Sequence, residues 1–230
     1  ELLREQNKKH SKQASAIRLI TQLEAEGANI STIAVDMGDT DEINLAIERL
    51  YEQYEVINGV VHAAGALDNK NLSAHKEKDF KKIFFSKINI DELIASCSDK
   101  KSLDFIIFFS SAISLVGGKG KSAYIASNSY LDEYTYFLNQ KSEYDKTKIL
   151  CINWPTWTKV GLAKDFQFNK KKQLFNFITP EKAIKCMDKL ISTATPGRVA
   201  VGSLNYDSDI LQVNENMPFS ISQTIEKKMN

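Results

Sequence analysis

Several absences limit the functions that this 230-residue sequence can have. It contains only three cysteines, widely spaced and without a Cys/His cluster, so a zinc site or other metal site is not expected. Its 30 Lys and Arg residues are balanced by 29 Asp and Glu residues, so binding to nucleic acid or to an anionic membrane is not expected. The sequence has no signal peptide and no apolar run long enough to cross a bilayer. We therefore expect a cytoplasmic protein with reduced thiols.

Strand-like and helix-like patterns alternate along the chain. Short apolar runs typical of buried strands occur at 30–35, 57–61, 103–109, 148–154 and 199–202. Helical patterns separate them, which predicts an α/β fold, a doubly wound parallel sheet of the Rossmann-like type. Such sheets bind ligands at the carboxyl ends of their strands. Small or polar residues follow four of these strands, which predicts a dinucleotide site at one edge: Asp36, Ala63-Ala64-Gly65, Ser111 and Pro155.

Several helices have clear starting signals. Asp39 and Glu42 resemble a capping box, and Thr179 followed by Pro180 is a favourable cap and first turn. The spacing of apolar residues predicts one helix over about 78–96 and another over about 122–139.

The second of these helices carries the most informative arrangement in the chain. Tyr124 and Asn128 are four residues apart and would share a helical face. Ser111 ends a strongly apolar strand and can point into the same crevice. A phenol, a hydroxyl and an amide would then meet where a small carbonyl could lie. The alternative interpretation is that Tyr124 and Asn128 are ordinary surface residues of a helix.

An ordered series of motifs resembles the ketoreductase domains of modular polyketide synthases, within the short-chain dehydrogenase/reductase superfamily. The sequence motif Ile-Asn-Trp-Pro-x-Trp is most similar to the corresponding motif of synthases whose acyltransferase is a separate protein. The resemblance runs from about residue 19 to residue 201 and rests on these segments: His62-Ala63-Ala64-Gly65, Leu67-Asp68-Asn69, Lys87, Phe108-Phe109-Ser110-Ser111, Tyr124-x-x-x-Asn128, Asn153-Trp154-Pro155-Thr156-Trp157 and Ile178-Thr179-Pro180-Glu181.

The resemblance implies four catalytic residues. Ordinary short-chain reductases have a lysine four residues after the tyrosine, where this chain has Asn128. In polyketide ketoreductases the lysine comes from an earlier helix, a position that Lys87 matches. Tyr124 would then donate a proton to the ketone oxygen, and Ser111 would donate a hydrogen bond to it. Lys87 would lower the pKa of Tyr124, and Asn128 would hold Lys87 or a relay water.

The resemblance also implies NADPH as the cofactor. Asp36-Met37 would contact the adenine, although Asp36 could instead cap a turn before Gly38. Ala63, Ala64 and Gly65 would let the cofactor ribose approach the backbone, and Pro155 would border the nicotinamide.

The same resemblance assigns residues to the substrate side. Leu67, Asp68, Asn69 and Trp157 would contact the substrate. Trp157 and Val160-Gly161-Leu162 are interpreted as the start of a lid, a role that suits the long polar loop 159–173. The family associates a Leu-Asp-Asp signature with a D-configured alcohol and a tryptophan eight residues before the tyrosine with the opposite type. This chain has Leu67-Asp68-Asn69 and Val116 at those places, which favours the D-alcohol.

The glycine-rich turn that holds a pyrophosphate in such folds is missing. We interpret Gly117-Gly118-Lys119-Gly120 as an active-site loop instead, because it does not directly follow a strand in the fingerprint manner. The first residues are polar and include no initiator methionine. We therefore expect the chain to start inside a larger polypeptide and to lack the first two strands of its fold. The predicted domains are an incomplete catalytic domain at 1–204 and a linker or tail at 205–230.

The expected activity is NADPH-dependent reduction of a β-ketoacyl chain tethered to an acyl carrier protein. The expected partners are that carrier and the other domains of a synthase. Two other classes stay open: a non-catalytic ketoreductase remnant that scaffolds a synthase, and a free-standing short-chain dehydrogenase acting on a small molecule.

Overall fold

The computed structural model describes residues 2–67, 70–98, 103–162 and 169–212. The chain divides into two compact units, residues 1–35 and 36–230. The first unit contains helix α1, Leu2–Ala25. Gly27 follows it with a φ of 94°, a left-handed conformation that glycine adopts without strain, and the Ala28 N–H returns to the Leu23 carbonyl at 3.0 Å.

The prediction of a buried strand at 30–35 is wrong. Residues 28–35 form no regular element, and Ile33 is 37% exposed. A strand exists through its hydrogen bonds to a neighbour, and among the described residues none pairs with this segment. Its apolar pattern alone therefore does not make it a strand.

The second unit contains a four-stranded sheet in the order β1-β2-β3-β4, with every neighbouring pair parallel. Its strands are Gly59–His62 (β1), Phe105–Ser111 (β2), Lys148–Trp154 (β3) and Gly197–Ala200 (β4). The inner strands β2 and β3 are mainly apolar, and four of the seven residues of β2 and six of the seven of β3 are buried, as expected for a parallel sheet covered on both faces.

Helices cover both faces of the sheet. On one face, α7 packs its apolar side against Ile107, Leu150 and Ile152. Phe108 points to the opposite face, since successive strand residues alternate, and its ring lies 6.0 Å from that of Tyr134 on α6. The prediction of an α/β fold with a doubly wound parallel sheet is confirmed. The helices of this unit are Thr40–Gln53 (α2), Glu77–Ile88 (α3), Ile90–Ser98 (α4), Ile113–Val116 (α5), Ser122–Leu138 (α6), Pro180–Thr193 (α7) and Asp209–Gln212 (α8).

Both predicted helix starts are capped, but only half of the predicted capping box forms, because Glu42 Oε2 accepts from the Asp36 N–H at 2.8 Å and not from the Asp39 N–H. Asp39 accepts hydrogen bonds from the N–H groups of Asp41 and Glu42 at the start of α2, and Thr179 caps α7. The single helix predicted over 78–96 is instead two helices, α3 and α4. They are separated at Asn89, whose side chain donates a 3.1 Å hydrogen bond to the Met37 carbonyl. The apolar spacing of the segment does not reveal this break.

Residues 205–212 pack against the rest of the second unit. Asn205 Nδ2 donates to the Lys170 carbonyl at 2.8 Å, and Ser208 Oγ donates to the Lys171 carbonyl at 3.1 Å. Residues 213–230 lie outside the described residues, and the boundary at 204/205 stays a prediction. In the described parts of the chain, no helix is both long enough and apolar enough to span a membrane.

Candidate active site

The carboxyl ends of β1, β2 and β3 open into a cavity of about 840 Å³. The segment after β1 contributes Ala63, Ala64 and Gly65, the end of β2 contributes Ser111, and Pro155 follows β3. The loop Gly117-Gly118-Lys119-Gly120 also lines this cavity, in agreement with its interpretation as an active-site loop. The cavity therefore lies at the edge of the sheet where the fold predicts a ligand.

Tyr124 enters the cavity from the first turn of α6. Its phenol pKa is raised by burial, and hydrogen bonds from Ser111 and Asn128 act in the opposite direction. Asn128 is fully buried one turn later, and its Nδ2 donates to the Tyr124 carbonyl at 2.7 Å. The predicted helical face thus brings the phenol, the hydroxyl and the amide together. The raised pKa of Tyr124 differs from the predicted lowering by Lys87: burial is the largest effect, and the groups that act against it are Ser111 and Asn128.

Lys87 reaches the same cavity from the last turn of α3. The residue is only 3% exposed, and its Nζ donates a 2.9 Å hydrogen bond to the Phe109 carbonyl on β2. Burial lowers the pKa of Lys87 to about 8, and the nearby Cys151 and Asp132 side chains act in the opposite direction. Gly65 lies beside it: a Cβ at residue 65 would be 3.4 Å from Lys87 Cε. The cavity therefore holds a buried ammonium that titrates close to neutral pH.

The predicted cofactor residues divide into two groups. Ala63, Ala64, Gly65 and Pro155 line the cavity. Asp36 and Met37 are not among its lining residues. Asp36 Oδ1 instead accepts a 2.8 Å hydrogen bond from the Gly38 N–H, which is the turn considered as the alternative.

The predicted substrate residues are described only in part. Leu67 and Trp157 line the cavity, whereas Asp68 and Asn69 lie outside the described residues. Trp157 belongs to an aromatic wall with Phe109 and Trp154, with ring centroids 5.2 to 6.3 Å apart. In the segment interpreted as a lid, residues 160–162, 169, 172 and 173 line the cavity, and 163–168 lie outside the described residues.

Sequence reasoning missed a buried polar cluster behind this site. It consists of Ser110, Ser114, Asp132 and Asn153, of which Asp132 is 4% exposed. Asp132 follows Asn128 by one helical turn, so a carboxylate on the Tyr124/Asn128 face was a signal that could have found it. The described residues contain no group of His, Cys, Asp and Glu side chains arranged to hold a metal ion.

Known proteins with this architecture are numerous. Polyketide synthase PksN of Bacillus subtilis (strain 168) is 26% identical over 219 residues, which are 93% of this chain but only 4% of that synthase. The PlmKR1 ketoreductase from the first module of phoslactomycin biosynthesis in Streptomyces sp. HK803 matches with a TM-score of 0.75 and 20% identity, over 94% of this chain and 49% of that chain.

A short-chain dehydrogenase from Burkholderia cenocepacia J2315, solved in complex with NADP, matches with a TM-score of 0.72 and 13% identity, over 81% of each chain. At these identities the structural matches establish the fold alone.

The model of the KR domain family matches residues 4–159, about two thirds of the chain. This match covers β1, β2 and β3 together with Lys87, Ser111, Tyr124 and Asn128. The chain belongs to the KR domain family, the ketoreductase domains of polyketide synthases within the short-chain dehydrogenase/reductase superfamily.

Proposed function

We propose that this protein reduces a β-ketoacyl group, tethered as a thioester to an acyl carrier protein, to the β-hydroxyacyl group with NADPH. One observation carries the proposal: Lys87, Ser111 and Tyr124 line a single cavity at the carboxyl ends of the strands, with Asn128 buried directly behind Tyr124. A proton donor, a hydrogen-bond donor and a cation are the groups that ketone reduction requires at the carbonyl oxygen.

Tyr124 is the acid in this mechanism. Burial raises its pKa, so the phenol keeps its proton at neutral pH until negative charge develops on the ketone oxygen. The Tyr124 hydroxyl then protonates that oxygen, while the Ser111 hydroxyl donates a hydrogen bond to the same atom. The Lys87 ammonium stabilises the negative charge that passes from the ketone oxygen to the phenolate, because buried charges interact strongly. NADPH, when bound, supplies the hydride to the carbonyl carbon.

The residues around the cavity fit a nicotinamide cofactor. Ala63, Ala64 and Gly65 offer a wall of backbone and methyl groups along which a ribose could lie, and a larger side chain at residue 65 would meet Lys87. Pro155 would border the nicotinamide. We propose that Asp36 and Met37 receive the adenine beyond the cavity lining. The NADP complex of the Burkholderia dehydrogenase supports this choice of cofactor.

The partners follow from the relatives. This chain spans only 4% of the length of PksN. We therefore propose that its partners are the carrier protein and the neighbouring domains of a synthase. A cytoplasmic setting is also proposed, because Cys97, Cys151 and Cys186 are all free thiols.

The test uses the full-length protein with NADPH and a β-ketoacyl thioester, offered on an acyl carrier protein and as a small soluble thioester. We expect NADPH oxidation to match the β-hydroxyacyl product in amount, with higher kcat/KM for the carrier-bound substrate. Absence of NADPH oxidation would favour the non-catalytic remnant. Equal or faster reduction of the small soluble thioester would favour the free-standing dehydrogenase.

A further inference from the structure

Asp132 is a buried carboxylate behind the candidate active site. It lies on α6 two turns after Tyr124 and is 4% exposed. Its Oδ2 accepts a 2.7 Å hydrogen bond from Ser114 Oγ, and its Oδ1 accepts a 2.9 Å hydrogen bond from Asn153 Nδ2. Burying an ionisable group costs free energy unless hydrogen-bond donors are well placed around it. The hydrogen bonds of this cluster therefore hold its members in fixed positions.

The partners of Asp132 come from the two other elements that build the site. Ser114 lies in α5, and its Oγ is also 2.8 Å from the Ser111 carbonyl. Asn153 lies on β3, and Nδ2 of this residue is 3.1 Å from Ser110 Oγ on β2. Asp132 therefore joins the helix that carries Tyr124 and Asn128 to the strand end that carries Ser111.

Asp132 also raises the pKa of Lys87 through its electrostatic effect, across the α3–α6 contact. The titratable groups that interact with Lys87 are His62 on β1, Cys151 on β3 and Asp132 on α6. Burial lowers the pKa of His62 to about 3, so the imidazole is neutral at working pH. Burial also raises the pKa of the Cys151 thiol well above its ordinary value, so this group is neutral as well.

Of these three side chains, Asp132 is the carboxylate, and its electrostatic effect raises the pKa of Lys87. Its other charged neighbour is Arg198 on β4, whose Nη1 is 3.8 Å from Asp132 Oδ2. The Arg198 side chain is 48% exposed, so solvent screens its charge.

We propose that Asp132 is a positioning residue for the reduction: it holds Ser111 and Tyr124 in register through Ser114 and Asn153, and its carboxylate supports the Lys87 side chain across the α3–α6 contact. The role rests on the proposed function, but its electrostatic part can be measured without turnover. Asp132 is not among the residues that line the cavity, so we propose that it acts through those that do.

The experiment compares three variants of the full-length protein with the parent. Asp132→Asn removes the charge at constant size, and Glu133→Gln is the matched control at an exposed site on the same helix. Ser114→Ala removes a hydroxyl that contacts Ser111, Asp132 and Asn153, without changing charge. The readouts are kcat and KM against pH with a β-ketoacyl thioester. Competitive acetylation followed by mass spectrometry reports the titration midpoint of Lys87 whether or not the protein turns over.

We expect Asp132→Asn to lower kcat about 10- to 100-fold and to move the alkaline limb of the kcat profile to lower pH by roughly half a unit to one unit. The acetylation midpoint of Lys87 should move in the same direction. Ser114→Ala should lower kcat by about 10-fold and leave the limb in place. Glu133→Gln should match the parent in every readout.

An Asp132→Asn protein with the kcat and the Lys87 midpoint of the parent would overturn the proposal. A lowered kcat with an unmoved midpoint would also overturn it, because it would reduce Asp132 to a packing role. If Asp132→Asn does not fold, Asp132→Glu and Ser114→Ala serve as the test. Both variants keep the charge, so both should lower kcat and leave the titration midpoint of Lys87 unmoved. An unchanged kcat in both variants would overturn the proposal. A parent that oxidises no NADPH contradicts the proposed function alone, since the acetylation readout still tests the charge of Lys87.

Discussion

Lys87 Nζ lies 2.9 Å from the carbonyl oxygen of Phe109, so the ammonium on α3 is tied to the strand that ends in Ser111. This hydrogen bond offsets part of the cost of burying the ammonium and sets its distance from β2. Burial still lowers the pKa of Lys87 to about 8. The Lys87 ammonium, which the proposed mechanism requires, therefore loses its proton at a pH that ordinary experiments can reach.

Reduction should decline as the pH rises through about 8. Lys87 carries its charge below that value and loses it above, so kcat should fall toward a tenfold loss per pH unit on the alkaline side. Lys87→Arg should be slower but should lack this limb, because arginine stays protonated. The measurement is initial rate against pH at saturating NADPH. A parent profile that stays flat to the end of the alkaline range would contradict the assignment of Lys87.

Tyr124→Phe should abolish most of the reduction and leave NADPH binding nearly unchanged. The variant removes the proton donor and keeps the ring, and loss of one donor at a developing oxyanion costs about 100- to 1,000-fold in kcat. Tyr136→Phe is the matched control, since Tyr136 is on the same helix and is 67% exposed. The readouts are kcat with a β-ketoacyl thioester and the Kd for NADPH. A Tyr124→Phe rate above half that of the parent would falsify the role of Tyr124.

Features with local causes could be predicted from the sequence. Strand β3 coincides with the predicted run 148–154, and α7 begins at Pro180 behind the Thr179 cap. The face shared by Tyr124 and Asn128 also depends only on helical spacing. Apolar runs, caps and helical spacing act within a few residues, so one sequence is enough to predict them.

Features with distant causes could not be predicted in the same way. Residues 30–35 have a strand-like composition, but a strand also needs a paired neighbour. At the break between α3 and α4, the Asn89 side chain contacts the Met37 carbonyl, 52 residues away, a contact that helical spacing does not indicate. The Asp132 cluster needs α5, α6 and β3 to be assembled before its hydrogen bonds exist.

His62 should make the protein sensitive to acid. Burial, with a smaller effect from the Lys87 charge, lowers the folded-state pKa of His62 from 6.5 to about 3. Between these values the unfolded chain binds a proton that the folded protein rejects. The free energy of unfolding should therefore be unaffected by this group above pH 6.5 and should fall with decreasing pH, by up to about 1.4 kcal/mol per pH unit.

The measurement for His62 is urea unfolding at a series of pH values, followed by the fluorescence of Trp154 and Trp157. His62→Gln should flatten the acid dependence, because it removes the titrating ring. His75→Gln, at a second and partly exposed histidine, is the control. Equal slopes for His62→Gln and the parent would contradict the prediction.

The product should be mainly the D-configured alcohol. Val116 stands where the family's opposite type has tryptophan, and Val116 lines the cavity. Chiral chromatography of the hydroxyacyl product tests this prediction, and Val116→Trp should lower the D/L ratio if the position contributes to substrate orientation. A parent product that is mainly the L-alcohol would overturn the prediction.

Gly59→Ala should loosen the strand that leads into Ala63-Ala64-Gly65. Gly59 pairs with Phe105 in the β1–β2 ladder, and a Cβ at residue 59 would collide with the Phe105 ring. That ring cannot swing away freely because it packs against the core of the sheet. We expect the free energy of unfolding of this part of the sheet to fall by about 1–3 kcal/mol. The measurement is amide hydrogen exchange, which should become faster in peptides from β1 and β2.

The control for Gly59→Ala is a double-mutant cycle with Phe105→Leu. Phe105→Leu alone should also destabilise the sheet, because it removes part of the buried ring. The narrower side chain leaves room for the alanine methyl, so Gly59→Ala should cost clearly less in the Phe105→Leu background than in the parent. Additive effects of the two substitutions would show that the collision with Phe105 is not the cause, and would leave the backbone of β1 as the source of any loss.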